Sequence, residues 1–409
     1  MKSWQRMRIS DVAEFCLGKM LDQKKNRGES LPYLANVNVR WGTFNLEDLR
    51  EMRFEPHERD RYGLKYGDIV MCEGGEPGRC AIWKDSKPAM MIQKALHRIR
   101  PCDGLDNRFL YYTFLNMGNT DRFSPLFTGS TIKHLPREKL AKVEIDVPPL
   151  PIQQKIASIL SAYDDLIENN RRRIQLLEQA ARLLYKEWFV HLRFPGHEHV
   201  KIKDGVPEGW EKVKIGNFCI KIGSGATPRG GASSYQKEGI TLIRSLNIYD
   251  YNFHDDGLVF IDERQADKLS NVTVNSRDVL INITGASVAR CCIAPERYLP
   301  ARVNQHVMIM RPIQEKVCSE YLLCAINSDR QKQYILNIAR AGGATREALT
   351  KDIVSNLEIC VPSDTLMVAF RDFASSSFSQ IETLQQQNAT LKKARDLLLP
   401  RLMNGEVAV

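Results

Sequence analysis

Residues 147–178 read VPPLPIQQKIASILSAYDDLIENNRRRIQLLE, and this stretch decides the architecture of the chain. Proline is tolerated in the first turn of a helix but blocks continuation from upstream, so Pro148, Pro149 and Pro151 mark a helix start. Apolar residues then recur in alternating steps of three and four, the heptad spacing that puts one seam on one helix face. The pattern predicts a helix over residues 151–194, about 60 Å long. This is too long for the core of one small domain, so the seam needs a partner.

A partner helix is predicted in the same chain. The seam positions shifted by 214 residues give a second heptad run, which follows Pro362 and covers residues 363–409. One such run alone is typical of an ordinary amphipathic surface helix. Two runs in the same register favour an intramolecular coiled coil. Pro400 lies within the second run and predicts a kink or an end of the helix there.

The seam residues also suggest a register. If the numbers of opposing residues sum to 558, Asn170 faces Asn388 and the apolar seam residues face one another. A slip by one heptad would leave each amide against an apolar residue, at a cost of about 1–3 kcal/mol. We hypothesise that the asparagine pair sets the register; the alternative is that both amides reach solvent at the edge of the seam. The apolar pairs are Ile167 with Leu391, Ile174 with Leu384, and Leu177 with Ile381.

The segments outside the helices also occur twice, in the same order. Their β-branched runs and glycine breaks predict sheet strands. A repeat of this extent indicates a duplicated unit. The predicted fold is therefore multidomain α/β (α+β), with two similar globular domains, residues 1–150 and 195–362, separated by two long antiparallel coiled-coil helices in an internal pseudo-twofold repeat. The matched segments include Gly67-Asp68-Ile69-Val70 with Arg277-Asp278-Val279-Leu280, Ile99-Arg100-Pro101 with Met310-Arg311-Pro312, and Gly129-Ser130-Thr131 with Gly343-Ala344-Thr345.

Composition narrows the class of protein. A chain of 409 residues suits two or three domains. The 58 basic and 49 acidic residues give a net charge of +9, which favours a polyanionic partner. Ten cysteines without a C-x-x-C pair are typical of reduced cytoplasmic thiols. The polar amino terminus and the lack of a long apolar run predict no signal sequence and no membrane span. His191, His197 and His199 have no cysteine neighbours and predict a solvated loop, not a metal site.

The ordered, duplicated set of segments resembles the specificity subunit of type I restriction-modification systems over essentially the whole chain. The resemblance implies two target-recognition domains, each reading one half of a bipartite double-stranded DNA site, with the two helices as a ruler. It implies a subunit without chemistry of its own and without a cofactor. Its partners would be two DNA adenine methyltransferase subunits, which use S-adenosylmethionine, and two restriction subunits can join them, which use ATP with Mg. In the second half, Ser363-Asp364-Thr365 departs from the Pro-Leu-Pro run of the family.

The residues themselves agree with a binding role. The glycine-rich residues 223–231 lack the lysine and hydroxyl pair of a P-loop and predict a recognition loop. No Asn/Asp-Pro-Pro-aromatic motif of an amino methyltransferase is present; residues 146–150 imitate it only in part. The sequence has no evident acidic cluster with a following lysine, the pattern that would suggest a nuclease metal site.

Candidate DNA contacts are taken from the stretches in which the two halves differ most. Lysine and arginine would contact phosphates, whereas arginine, lysine, asparagine or glutamine would reach base edges. For each residue alone, the alternative is an ordinary solvated side chain. The first domain offers Lys24, Lys25, Arg27, Asn36, Asn38, Arg40 and Trp41, the second offers Ser224, Thr227, Arg229, Tyr235, Arg244 and Asn247, and the glycine loops add Lys133, His134 and Arg346.

Two other classes of protein remain open at this point. A single-chain restriction-modification enzyme would need several hundred more residues and the missing motifs, and would bind S-adenosylmethionine alone. A non-catalytic coiled-coil scaffold that tethers two protein-binding domains would show no sequence-dependent DNA affinity. Divergence of matched segments inside a repeated frame argues against the scaffold. Exposed helix faces, including Arg171, Arg172 and Arg173, are candidate surfaces for the methyltransferase.

Overall fold

The computed structural model describes residues 4–22, 26–341 and 348–409. The chain forms two compact units, and each contains one globular domain with parts of both long helices. Unit 1 comprises Met1–Asn170 and Gln386–Val409, and unit 2 comprises Arg171–Gln385.

The globular part of unit 1 mixes short helices with antiparallel and parallel strands. Its strands are β1 Gln5–Arg8, β2 Ala13–Leu17, β3 Glu29–Leu34, β4 Val39–Arg40, β5 Thr43–Phe44, β6 Arg50–Phe54, β7 Ile69–Cys72, β8 Cys80–Ile82, β9 Met91–Ile92, β10 Leu96–Pro101 and β11 Glu144–Val147. Its short helices are α1 Ile9–Val12, α2 Pro56–Tyr62, α3 Asn107–Asn119 and α4 Arg137–Ala141, and the first long helix is α5 Leu150–Tyr185. The central sheet has the order β2-β10-β7-β8, and a second sheet has the order β6-β3-β9.

The globular part of unit 2 repeats this plan. Its strands are β12 Ile202–Lys203, β13 Val206–Pro207, β14 Glu211–Lys214, β15 Cys219–Ser224, β16 Ile240–Ile243, β17 Val259–Ile261, β18 Thr273–Val274, β19 Val279–Asn282, β20 Cys291–Ile293, β21 Ala301–Val303, β22 Val307–Pro312 and β23 Glu358–Val361. Its helices are α6 Glu263–Lys268, α7 Ser319–Asn327, α8 Asp329–Ala341 and α9 Lys351–Asn356, and the second long helix is α10 Asp364–Met403. The central sheet has the order β15-β22-β19-β20, and the second sheet has the order β17-β16-β21-β18.

The repeat extends into the stretches that look dissimilar in sequence. In unit 1, β3 pairs in parallel with β9, and in unit 2, β16 pairs in parallel with β21. Each of these strands also has an antiparallel neighbour on its other side. The two domains therefore share the topology of three strands of the second sheet, to which unit 2 adds β18, although their side chains there differ.

The same buried ion pair holds the central sheet of each domain. Arg100 donates through Nε and a terminal nitrogen to both oxygens of Asp68, each at 2.7 Å. Arg311 does the same to Asp278 at 2.7 and 2.8 Å. The bonds to the carboxylates raise the pKa of both arginines above the ordinary value. The repeated Asp and Arg-Pro positions of the sequence are therefore structural.

The two long helices pack antiparallel within each unit. In unit 1, Leu160 near the start of α5 shares a buried cluster with Leu399 and Leu402 near the end of α10. In unit 2, Leu184 near the end of α5 packs on the cluster that contains Phe370 near the start of α10. The seam residues of the heptad pattern are thus the buried ones. The predicted mixed α/β class, with a repeated domain and an antiparallel helix pair, is confirmed.

The ends of the helices differ in detail from the prediction. The first helix ends at Tyr185 and continues as a wider π-helical turn over Lys186–Val190, short of residue 194. The second helix continues through Pro400 to Met403, so the expectation that it ends at the proline is wrong. The alternative, a kink at Pro400, stays a prediction. Proline removes one backbone donor, but Leu402 is fully buried in the unit 1 cluster and holds the last turn in place.

Two further observations concern the cysteines and the hydropathy of the helices. All ten cysteines are free thiols. Across residues 4–22, 26–341 and 348–409, no helix is long and apolar enough to cross a membrane.

Candidate nucleic-acid interface

A tight turn after β3 is fixed by one asparagine. Asn38 is buried, and its side-chain oxygen accepts from the backbone N–H of Ala35 at 2.9 Å. Its side-chain nitrogen donates to the carbonyl of Asn45 at 3.1 Å. The backbone N–H of Asn45 in turn donates to the carbonyl of Asn38 at 2.8 Å. We name residues 35–38 the Asn turn of the first domain.

The second domain contains the same turn after β16. Asn247 is fully buried, and its side-chain oxygen accepts from the backbone N–H of Arg244 at 3.1 Å. Its side-chain nitrogen donates to the carbonyl of His254 at 2.9 Å, and the N–H of His254 donates back to Asn247 at 2.8 Å. Residues 244–247 are therefore the Asn turn of the second domain. Both turns use the same bonds, 209 residues apart.

In the first domain, two further loops meet the Asn turn. Arg79 donates to the carbonyl of Asn36 at 2.9 Å, which ties the turn to residues 73–79 after β7. Gly75 has a φ of +82°, and a Cβ there would lie 2.7 Å from the side-chain nitrogen of Asn36. The backbone N–H of Leu135 donates to the carbonyl of Glu73 at 2.8 Å, which brings in residues 127–135, the glycine loop. These two segments and residues 35–40, which continue from the Asn turn to Arg40, together form what we call the loop junction.

The second domain builds an equivalent loop junction from residues 244–249, 283–290 and 348–349. Asn282 donates to the carbonyl of Ser245 at 2.8 Å, in the place of the contact to Asn36. Leu349 donates through its backbone N–H to the carbonyl of Ile283 at 2.8 Å, as Leu135 does to Glu73. The backbone frame is thus common to both junctions.

The side chains that project from the two junctions differ. Arg40 is exposed in the first domain, and its counterpart in the second is Tyr249. Tyr249 stacks on His254 with ring centroids 4.1 Å apart. The guanidinium of Arg290 lies 4.5 Å from the Tyr249 ring centre on the same loop system. We call the exposed side chains of a junction its tips. The cationic tip Arg40 and the aromatic tip Tyr249 would contact different base edges.

Other predicted contacts of the first domain fall into four groups. Lys133 and His134 are exposed on the glycine loop and belong to the junction. Arg27 is exposed at the far end of β3, roughly 20 Å from the Asn turn by strand rise. Trp41 is partly exposed, but its ring lies against Gly118 of α3, where a Cβ would be 2.6 Å from the indole. Lys24 and Lys25 lie outside the described residues.

Predicted contacts of the second domain begin at the end of β15. Ser224 is the last residue of that strand, Thr227 lies three residues further on, and both are exposed. Arg229 is exposed, while its backbone N–H and carbonyl are both bonded to the side chain of Gln265 in α6. Tyr235 is half-buried beneath the guanidinium of Arg244, 5.2 Å from its ring centre. Arg346 lies outside the described residues.

Asn38 and Asn247 are not available as base-reading residues, and this corrects the sequence prediction. Both carboxamides are buried, and both spend their oxygen and nitrogen on backbone groups of their own turn. Buried amides are normally satisfied within the protein, and exposing one to DNA would break the turn. Their role is to hold the exposed neighbours in place.

Sequence reasoning missed four residues of the junctions. Arg79 and Arg290 lie in well-matched segments, whereas the candidate contacts come from the stretches in which the two halves differ most. Val37 and Leu246 are apolar, although they are 58% and 44% exposed. The sequence carries a weak signal: LANVNV over residues 34–39 and IRSLNI over residues 243–248 align at an offset of 209, with one identical asparagine and apolar residues at three matching positions.

The helix pair carries a polar layer of its own. The side-chain nitrogen of Asn170 donates to the side-chain oxygen of Asn388 at 3.1 Å and lies 3.5 Å from the oxygen of Gln387. Asn170 is only 6% exposed. The neighbouring seam residues Ile167, Ile381 and Leu384 are buried as well. The bond between Asn170 and Asn388 agrees with the register in which the numbers of opposing residues sum to 558.

One cluster of potential metal ligands occurs among the described residues. Glu55, His57 and Glu58 have ligand atoms within 4.8 Å of one another. Glu58 is already paired with the ammonium group of Lys19 at 2.5 Å. We assign no metal to this cluster.

Comparisons with known proteins match the whole chain. The family profile described as type I restriction modification DNA specificity domain matches residues 1–179 and 207–393. The MjaIX specificity subunit of Methanocaldococcus jannaschii is 26% identical, with 100% of this chain and 94% of that protein covered. The HindI specificity subunit of Haemophilus influenzae is 24% identical, with 98% and 100% covered. A crystal structure of the S subunit from M. genitalium shares the fold, with a TM-score of 0.60 at 17% identity over 98% of this chain and 96% of that one.

Proposed function

Because this chain belongs to the family of type I restriction-modification DNA specificity subunits, we propose that each of its loop junctions reads one half of a bipartite double-stranded DNA target. The chain is the DNA target-recognition component of such a system. What is proposed beyond this is the division of the target between two junctions and the residues that read it.

The single observation that carries the proposal is the loop junction built twice. The backbone frame of the Asn turn is the same in both domains, bond for bond. The exposed side chains on that frame differ, as Arg40 and Tyr249 do. A constant frame with variable tips suits two half-sites of different sequence.

Electrostatics supports the same surface. The chain carries a net charge of +9, and exposed cationic side chains such as Arg40 and Lys133 stand on the first junction. Lysines and arginines at such positions neutralise phosphates and give affinity that falls as salt concentration rises. Base contacts from the junction tips then add sequence preference.

We further propose that the chain is non-catalytic and acts with two DNA adenine methyltransferase subunits, which two restriction subunits can join. On this proposal S-adenosylmethionine, ATP and Mg are bound by the partners. The lack of P-loop and amino-methyltransferase motifs in the sequence supports this division of labour. Base flipping by the methyltransferase costs a few kcal/mol of unstacking. On this proposal the present chain holds the half-site in place while the methyltransferase subunit provides that energy.

The helix pair is proposed to set the distance between the half-sites. The hydrogen bond between Asn170 and Asn388 forms in one register only, because a heptad slip in either direction separates the two amides. Asn170 would then face Ile381 or Arg395, depending on the direction of the slip. Adding one heptad to both helices should therefore lengthen the unspecified gap of the DNA target. Exchanging the junction tips should instead change the bases recognised.

The decisive experiment is adenine methylation mapping of the host genome at base resolution, with and without the gene for this chain. We expect a split motif, two short specific blocks around a fixed gap, to lose methylation without the gene. Arg40→Ala should then relax preference in one block only, by roughly 1–3 kcal/mol if it reads a base. Arg6→Ala is the matched control, since Arg6 is an exposed arginine paired with Glu144 away from the junction.

The proposal fails if no motif depends on the gene in a host that expresses the methyltransferase. It also fails in part if Arg40→Ala weakens both blocks equally. In that case Arg40 would be a general phosphate contact and the two junctions would not divide the target between them.

A further inference from the structure

Each Asn turn presents one branched apolar side chain to solvent at the same position. Val37 is 58% exposed and Leu246 is 44% exposed. Each is the residue immediately before the buried asparagine of its turn. A single exposed apolar residue is ordinary on a protein surface, but this one occurs at the same point of a turn that is built twice.

The turns hold these two side chains on a rigid backbone. In each turn, the N–H of the buried asparagine donates to the carbonyl three residues earlier at 2.9 Å. The asparagine side chain then closes the turn on both sides. Because the backbone is already fixed, little conformational entropy would be lost when the tip contacts a ligand.

Guanidinium groups stand beside both tips. Arg40 donates to the carbonyl of Val37 at 2.8 Å, which keeps its charge next to that side chain. In the second domain, a Cβ on Gly257 would lie 3.6 Å from Leu246 Cδ1 and 3.8 Å from a terminal nitrogen of Arg244. An apolar tip beside an arginine matches a DNA groove, where bases lie between two phosphate backbones.

The chemistry of base edges narrows what an aliphatic tip can recognise. In the major groove, the apolar feature of a base pair is the C5-methyl group of thymine, and aliphatic side chains contact it. Valine and leucine have no donor or acceptor, so they cannot read the polar edges of the other bases. Both tips therefore point to the same chemical group, even though their polar neighbours differ.

We propose that Val37 and Leu246 are specificity-determining residues that each contact the methyl group of one thymine, one in each half of the target. This inference rests on the proposed division of the target between the two junctions. It adds apolar readout to the polar contacts, and it assigns one residue to each half-site.

The test uses the full chain in its assembled methyltransferase complex, with duplexes that carry the mapped motif. Each thymine is replaced singly by deoxyuridine, which removes only the methyl group. One replacement in each half-site should weaken binding about fourfold, the ratio expected for one buried methyl group. In the Val37→Ser variant, the effect should vanish in the first half-site and remain in the second. Leu246→Ser should show the reverse.

Ile202→Ser is the matched control, because Ile202 is also 58% exposed but lies in the β12–β13 hairpin. It should keep both deoxyuridine effects. Thermal unfolding of each variant checks that the fold is intact.

Two results would overturn the inference. One is binding that does not depend on any thymine methyl group, and the other is a deoxyuridine effect that the serine variants keep, whether or not they weaken both duplexes equally. Each leaves a mapped bipartite motif in place, so the proposed function would stand while this inference fails. Loss of the motif itself would instead contradict the proposed function.

Discussion

Unit 1 and unit 2 derive from one repeat, yet polar side chains inside unit 1 are matched by apolar ones in unit 2. In unit 1, Asp164 of α5 accepts from Arg395 of α10 and, at 2.6 Å, from the hydroxyl of Tyr112. The residues at an offset of 214 in unit 2 are Phe378 and Ala181, which are packed or buried among apolar neighbours. Burial and the adjoining carboxylate raise the pKa of Tyr112 well above the ordinary value, so its hydroxyl stays a donor.

The seam shows the same contrast. The bonded pair Asn170 and Asn388 lies in unit 1. Its counterpart at an offset of 214 is the pair Leu384 and Ile174 in unit 2, in which Leu384 is 3% exposed. The repeat therefore places one polar layer and one apolar layer at equivalent points of the helix pair.

The difference teaches that the two units use the same frame for different purposes. Apolar packing provides most of the stability of a core, whereas a buried polar pair chiefly penalises other arrangements. If two first helices paired with each other, as the repeat alone would permit, Asn170 would face Ile174 and Asp164 would face Ala181. The polar side chains of unit 1 therefore select the pairing of the first helix with the second.

The largest effect is expected from the aromatic cluster of unit 2. Phe370 is fully buried, with ring centroids 5.2 Å from Phe189 and 5.9 Å from Tyr321. Phe370→Ala should lower the free energy of unfolding of unit 2 by about 3–5 kcal/mol, because it leaves a cavity. Hydrogen exchange resolved along the chain would show the loss in unit 2. Phe373→Ala is the control, since Phe373 is 43% exposed on the same helix; equal effects of the two variants would contradict the assignment.

A smaller loss of stability is expected when the ion pair between Asp164 and Arg395 in unit 1 is removed. Arg395→Met leaves the partly buried Asp164 without its cation, at a cost of about 2 kcal/mol, below the range for a fully buried pair. Urea unfolding followed by hydrogen exchange in unit 1 measures it. Arg401→Met, at a 62% exposed position of the same helix, should be neutral. If Arg395→Met is neutral too, the ion pair contributes nothing to the stability of unit 1. The two units would then differ in composition only.

Variants of Asn170 and Asn388 should separate two roles of this pair, its effect on helix register and its effect on stability. Asn170→Leu leaves Asn388 without its partner and should cost about 1–2 kcal/mol. Changing both to leucine should recover stability but allow heptad slips, so that methylation mapping shows a less uniform gap between half-sites. Asn169→Leu, at an exposed position of α5, is the control and should leave the gap unchanged. A uniform gap in the double variant would remove the asparagine pair as the register device.

The contrast also explains what the sequence could and could not predict. Heptads, caps and repeated strands are local patterns, so α5, α10 and the repeated central sheet could be expected. The loop junctions could not, because the two Asn turns match at an offset of 209 and the helices at 214. An insertion between them hides the equivalence of Val37 and Leu246. Asn38 was assigned to DNA because burial is set by tertiary packing, which residue type alone does not reveal.

The smallest expected effect concerns acid. His97 in β10 is fully buried, and its Nε2 lies 2.9 Å from the carbonyl of Leu135 in the glycine loop. Burial lowers the pKa of His97, and it outweighs the bond to Leu135, which acts in the opposite direction. The equivalent position in β22 is Met308, which does not titrate. At this strand position, the first domain therefore has a titrating group in contact with its junction, whereas the second domain has methionine.

The direction of the pH effect follows from the lowered pKa. In the unfolded chain His97 takes up a proton near pH 6.5, whereas in the folded domain it stays neutral to lower pH. Stability of unit 1 should therefore fall as pH decreases below about 6.5, modulated by the nearby charges of Glu73, Arg137 and Glu138. Hydrogen exchange of the backbone around Leu135, compared at pH 7.5 and pH 5.5 in wild type and His97→Met, measures this. Because His97→Met also removes the contact to Leu135, the expected result is that protection falls on acidification more in the wild type than in the variant. An equal response to acid in both would show that another group is responsible.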